Sequence, residues 1–312
     1  MTVPALAASR ASSARSRRLK ADLCAWTFIF PSFLHLAIFT LFPIGFAFYL
    51  SLHKWDVLKK AHPFIGLQNY QNLVHDTLFW NALFNSAYYA VASVPLGMLA
   101  ALIIAILVNQ KLPFVNLFRT LYYLPAVSSA VAVSMVWTFI YLPESGLLDW
   151  VLGACGLRHA SQTDWLNSPG LAMPALIVMS VWLGLGPRMV LYLAGLSAIP
   201  SSLYEVAAVD GGGRWACFRH ITWPLLLPTS FFILVTSSIS AFQVFTPVYM
   251  MTQGGPMRRT DVVGYHIYNE AWRQFHMGMA SAQSYVLFLV ILLVTVVQFR
   301  IVQRRMAGYS LA

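Results

Sequence analysis

Charge is scarce in this chain. Only 10% of its 312 residues are Asp, Glu, Lys or Arg, where a soluble globular domain carries roughly 25%. With 59% hydrophobic residues, that shortage excludes an ordinary soluble domain and reads as a polytopic membrane protein. Cysteine is scarcer still. Cys24, Cys155 and Cys217 are odd in number and lack paired spacing, which excludes a disulfide framework and a cysteine metal site. No lysine follows a glycine in a phosphate-loop arrangement, so the chain has no nucleotide-hydrolysing loop of its own. Negative charge is the rarer sign, ten acidic residues against twenty basic ones. The basic residues form no single patch that would bind nucleic acid. They sit at the ends of apolar runs, as the positive-inside rule describes.

What is present is a series of apolar runs. Six segments are long enough to cross about 30 Å of hydrocarbon: 23–51, interrupted by Pro31 and Pro43; 83–108; 117–141, containing Pro125; 171–198; 224–250; and 282–302. The expected fold is all-α, with six transmembrane helices. Residues 1–22 read as a basic cytoplasmic tail, 23–305 as the transmembrane domain and 306–312 as a second cytoplasmic tail. The first apolar run is too long for a cleaved signal peptide, so it is expected to stay as a helix.

Charge orients the spans. Arg10 to Lys20, Lys111 with Arg119, Arg214 with Arg219, and Arg300 with Arg304 and Arg305 all fall on one side if there are six crossings. Both termini are then cytoplasmic. The opposite loops hold most of the acids, together with Lys54, Lys59, Lys60, Arg258 and Arg259.

Between the fourth and fifth runs, at about 201–224, lies a polar island. Its carboxylates and glycine-rich backbone would lack partners in hydrocarbon. Residues 204–210 fit a short amphipathic helix, with Leu203, Val206 and Ala207 at helical spacing. Ser201 or Ser202 is placed to cap it, and Ser202 with Glu205 to form a capping box. Gly211, Gly212 and Gly213 permit a sharp exit. A second short helix over 214–220 would lead to Ile221 and Pro224, with Pro224 in the first turn of the fifth span. A helix lying on the membrane surface would show Lys and Arg on its polar face; this one offers Glu205 and Asp210, which favours docking.

Glu205, Ala207, Ala208, Gly211, Ile221 and Pro224 resemble the "EAA" loop of importer permeases of the ATP-binding-cassette (ABC) superfamily. The flanks are similar too: Phe64 to Tyr70, Phe79 to Ser86, Leu193 to Pro200 and Thr252 to Pro256 resemble segments of that superfamily's carbohydrate-uptake permeases. Val206 stands where alanine is usual and Trp223 where leucine is usual. The resemblance implies a subunit that forms half of a solute pathway in a bacterial or archaeal plasma membrane. Its implied partners are a second permease subunit, two ATPases that bind ATP and magnesium, and an external solute-binding protein. The chain itself is then not an enzyme and needs no cofactor. Coupling to the ATPase would fall to Glu205, Ala207, Ala208, Asp210, Gly211, Ile221 and Pro224. A related permease for an amino acid or peptide is the alternative. A membrane-embedded enzyme is a distant third, because His35, His220, His266 and His276 do not cluster in sequence.

A solute would meet polar side chains near the midplane. Ser237, Ser240 and Gln243 of the fifth span and Trp182 of the fourth are candidates, with Phe242 and Tyr249 as further aromatic surfaces. Bonding between helices and aromatic belts are the ordinary uses of such residues. Arg188 differs. It lies roughly ten residues, or about 15 Å, from the cytoplasmic end of its span. Unless it faces water, a partner or a ligand, an arginine there costs at least about 2.5 kcal/mol. The preceding Gly184, Leu185, Gly186 and Pro187 could break the helix. Arg188 is expected to face the pathway and to suit an anionic group, or else to pair with an acid.

Overall fold

The computed structural model describes residues 26–110, 114–156 and 163–309. The basic tail, Cys24, Lys111, the side chains of Arg304 and Arg305, and residues 310–312 lie outside that description. The described chain is helical, with two isolated bridges, His53 to Phe64 and Asp56 to His276.

Three helices are long and apolar enough to cross a membrane: α1 (Trp26–Ser51), α3 (Thr77–Val108) and the Met277–Val302 part of the last helix. The short α2 (Gln68–His75) precedes α3. Three further spans are possible if each of three bent pairs counts as one. These pairs are α4 (Val115–Val127) with α5 (Ala130–Ile140), α7 (Ala172–Leu183) with α8 (Leu185–Ser197), and α10 (Arg214–Leu225) with α11 (Leu227–Phe242). The remaining α-helices are α6 (Leu147–Ala154), α9 (Ser201–Val209), α12 (Val263–Tyr268) and α13 (Met277–Tyr309), and two short, wider helical turns span Val248–Thr252 and Asn269–Arg273.

Proline accounts for two of the three bends. Pro187 has no N–H for the Leu183 carbonyl, and the helix turns by 47° between α7 and α8. Pro228 likewise leaves the Pro224 carbonyl without its helical donor, and α10 and α11 meet at 60°. Pro228, not Pro224, therefore occupies the first turn of α11, and that helix ends at Phe242 rather than near residue 250. The expected third span is bent most, by 101°. Ser128 and Ser129 are extended there, and the Ser128 hydroxyl donates to the Leu124 carbonyl at 3.2 Å. Pro31 and Pro43, expected as interruptions, lie inside a continuous α1 that only widens at Ala37–Leu41.

α3 is the central element. Of its most apolar window 39% is buried, against none of α1's and 6% of the last helix's. It runs through both parts of the core. One part gathers Phe79, Leu176, Met179 and Val263; the other gathers Ala101, Ala105, Met189, Tyr192 and Leu226. Close approach is made possible by glycine. A Cβ on Gly186 of α8 would lie 2.6 Å from the Tyr122 carbonyl of α4, and one on Gly195 would lie 2.7 Å from Thr229 Oγ1 of α11.

Buried asparagines fasten the loops at one end of the bundle. Asn69 Nδ2 donates to the Ser51 and His53 carbonyls at 2.7 and 3.0 Å. Asn85 Nδ2 donates to the Arg258 and Asp261 carbonyls, both at 2.9 Å. Asp76 caps α3 by accepting from the Leu78 and Phe79 amides. At the same end the Lys59 ammonium sits 2.8 Å from the Asp56 carboxylate, holding that carboxyl below its usual range.

Candidate functional site

The polar island folds into α9 and α10, which stand side by side. α9 begins at Ser201, directly after an extended Pro200, without a side-chain cap. Ser201 and Ser202 are already helical, past the position from which a hydroxyl caps, so the expected Ser202–Glu205 box does not form. Gly211 adopts φ +77°, the left-handed value that the exit requires. The Gly212 amide closes the turn on the Ala207 carbonyl at 2.7 Å. The second helix extends beyond the expected 214–220 and carries Pro224 within it. Tyr204 Oη and Thr222 Oγ1, 2.9 Å apart, tie the two helices together.

The island turns apolar side chains outward. Val209 is 88% exposed, Trp215 70% and Val206 60%. Glu205, Ala208, Asp210 and Gly211 are also exposed, while Ala207, Ile221 and Pro224 are half-buried. Between the helices lies an open cleft of about 420 Å³, floored by Ala207, Ala216 and Ile221 and edged by Leu203, Val206 and Asp210. Among the described residues no cation pairs with Glu205 or Asp210. The surface is thus a small-residue cleft with a hydrophobic rim and two free carboxylates. Such a surface can receive an apolar side chain and a basic group together.

Arg188 stands in the first turns of α8, just past the bend. Its Nε donates to Ser237 Oγ of α11 at 3.0 Å. Its Nη1 is buried and finds no acceptor among the described residues. That nitrogen lies where Gly97 of α3 and Gly184 leave room: a Cβ on Gly97 would collide with it, and one on Gly184 would lie 2.7 Å away. No carboxylate among the described residues pairs with Arg188, and the residue keeps part of its surface open.

The sequence candidates therefore separate. Arg188, Gly184 and Ser237 come together. Ser240 instead turns back onto its own helix, donating to the Thr236 carbonyl at 3.0 Å. Gln243 is exposed at the C-terminal end of α11. Trp182 packs edge-on against Trp137, with ring centroids 5.6 Å apart. Phe242 is buried in the core, and Tyr249 belongs to an aromatic group with Phe245, Tyr265 and Tyr268. Gly97 was not singled out in the sequence. Nothing in its own neighbourhood marks it, because it meets Arg188 only through the packing of α3 on α8.

Residues 93–308 match the family described as "Binding-protein-dependent transport system inner membrane component". The chain is 36% identical over 280 residues to the "Probable ABC transporter permease protein YurN" of Bacillus subtilis (strain 168), covering 88% of this chain and 94% of that protein. It is 33% identical over 289 residues to the "sn-glycerol-3-phosphate transport system permease protein UgpA" of Yersinia enterocolitica, covering 90% of this chain and 96% of that protein. It is 28% identical over 297 residues to the "Probable starch degradation products transport system permease protein AmyD" of Thermoanaerobacterium thermosulfurigenes, covering 93% and 98%. Its fold is similar to that of a chain in the crystal structure of a bacterial ABC transporter involved in the import of the acidic polysaccharide alginate. There the TM-score is 0.80, with 23% identity and coverage of 93% of this chain and 99% of that one. The chain belongs to the family of binding-protein-dependent transport system inner membrane components, the permease subunits of ABC transporters.

Proposed function

We propose that this chain forms half of the translocation pathway of an ATP-driven importer for a saccharide or sugar-like solute. An external binding protein delivers the solute, and a second permease subunit completes the pathway. ATP and magnesium are bound by two partner ATPases. The cargo class rests on the relatives named for sn-glycerol 3-phosphate and starch degradation products. In this reading α1, the three bent pairs, α3 and α13 make six crossings. Both termini and the island then face the cytoplasm, the side to which the basic groups point.

One observation carries the coupling role. α9 exposes Val206 and Val209 beside a cleft that nothing else in the described chain fills. Exposed apolar residues with a polar rim mark a protein interaction surface. Glu205 and Asp210 add the charge that would pair with basic groups of the ATPase. Tyr204–Thr222 and the packing of α10 onto α11 give a docked partner a lever on the spans, so closure of the ATPases would rock α8 and α11 as a unit.

The test is copurification. A double variant Val206→Asp and Val209→Asp keeps the helix but makes its rim hydrophilic. It should reach the membrane at normal level and lose the ATPase through a solubilisation step that the unaltered chain survives. Retention of the ATPase at full stoichiometry would overturn the docking assignment.

A further inference from the structure

The Arg188 guanidinium is held, but it is not neutralised. Ser237 fixes Nε, the spaces at Gly97 and Gly184 admit Nη1, and no carboxylate of the described chain answers the charge. A cation left unpaired inside an apolar bundle is costly and is retained where it meets water, a partner or a ligand. The surroundings are built for that one group. Two glycines on separate elements clear its path, and the helix carrying it is broken one turn earlier, at Gly184. With Nε held by Ser237 and Nη1 buried at Gly97 and Gly184, the guanidinium plane is fixed, and its remaining edge can give a carboxylate or phosphate a directed charge-assisted hydrogen bond.

We infer that Arg188 is an anion-binding group of the solute pathway and that the cargo carries a carboxylate or phosphate, as in a uronate or a sugar phosphate. This rests on the transporter reading above and adds to it the charge of the solute. Ser237 is then a positioning residue, because it acts through Arg188. Gly97 and Gly184 set the clearance that lets the guanidinium lie across the break. A structural alternative, in which an acid of the second permease pairs with Arg188, makes a different prediction: loss of Arg188 would separate the subunits and leave the response to small anions unchanged.

The probes are two matched pairs, galacturonate with galactose and glycerol 3-phosphate with glycerol. The assembled transporter in lipid nanodiscs is titrated with each at constant ionic strength, and its melting temperature is followed. In the unaltered complex at least one charged member should raise the melting temperature by several degrees over its neutral counterpart. Arg188→Gln should weaken that response at least tenfold in probe concentration, and Arg188→Lys should fall between. Should Arg188→Gln fail to assemble, Gly184→Ala serves, since it keeps the charge and crowds Nη1; it should weaken the response several-fold. Equal responses to charged and neutral members in the unaltered complex, or unchanged responses in all the variants, would overturn the anion site. Either result would leave the transporter reading standing. Loss of the ATPase from the unaltered complex, with a galacturonate response that still depends on Arg188, would overturn the transporter reading and leave the anion site.

Discussion

Arg188 Nε and Ser237 Oγ, 3.0 Å apart, join α8 to α11 across 49 positions of sequence. This bond links the two helices on either side of the island. α8 leads into α9, and α11 follows α10. The two connections of the island thus run to the two helices that this bond joins.

Ser237→Ala should loosen this link. A hydrogen bond to a charged group contributes about 1.5–3 kcal/mol in soluble proteins, and polar pairs between membrane helices average about 0.6 kcal/mol. The expected loss is about 1 kcal/mol, read as a lower melting temperature in detergent. Ser240→Ala, whose hydroxyl bonds only within its own helix, should fall within about 0.5 kcal/mol of the unaltered chain, as surface changes do.

Glycine contacts separate just as sharply. Gly186→Ala places a methyl 2.6 Å from the Tyr122 carbonyl and 2.7 Å from Tyr123 Cα. Both are backbone atoms, so the helices must move apart, at a cost of about 1–3 kcal/mol. Gly45→Ala meets nothing within 4 Å and should be neutral or slightly stabilising. Thermal unfolding of the two variants side by side checks the packing of α8 on α4.

The parts legible in the sequence were those written in local composition. Apolar runs give the helices because each must satisfy its own backbone in hydrocarbon. The island's glycines and carboxylates stand out for the same reason. The bends were less legible. The Gly184–Pro187 run reads as a place where the helix could break, and the helix does bend there. Pro43, expected as an interruption, sits with Pro95 in helices that continue, and the break at Pro228 was not foreseen. Ser202 and Glu205 have the spacing of a capping box, yet α9 begins one residue before Ser202, so the hydroxyl comes too late. Arg188 was visible as a charge out of place. Its clearance at Gly97, more than ninety positions away, was not.

Asn85 closes one end of the bundle by holding the Arg258 and Asp261 carbonyls. Asn85→Leu removes both bonds; the Asp261 carbonyl loses its side-chain donor, and the Arg258 carbonyl keeps only the longer bonds from the Asn81 side chain and the Asp261 amide. About 1–3 kcal/mol should be lost from the local fold. Limited proteolysis should then cut between residues 253 and 262 at a protease concentration that leaves the unaltered chain intact, with α3 itself resistant.

Asp56 gives a pH dependence whose sign is fixed. Lys59 and the Leu58 amide lower its carboxyl pKa in the folded chain. The folded state thus binds its proton less readily than the unfolded one. The stabilisation is complete above the ordinary Asp pKa of about 3.9 and is lost as pH falls through the lower folded value. Melting temperatures of the unaltered chain and Asp56→Asn should differ at neutral pH and converge on acidification. A difference that widens towards acid would contradict the assignment.

The account turns on Glu205 transmitting the ATPase stroke into α8 and α11. The direct measurement is ATP hydrolysis by the reconstituted transporter, with and without its loaded binding protein, for the unaltered chain and for Glu205→Lys. The account predicts that the unaltered complex is stimulated, whereas Glu205→Lys either fails to retain its ATPase or hydrolyses ATP at one unstimulated rate. Normal stimulation by the loaded binding protein in Glu205→Lys would contradict it.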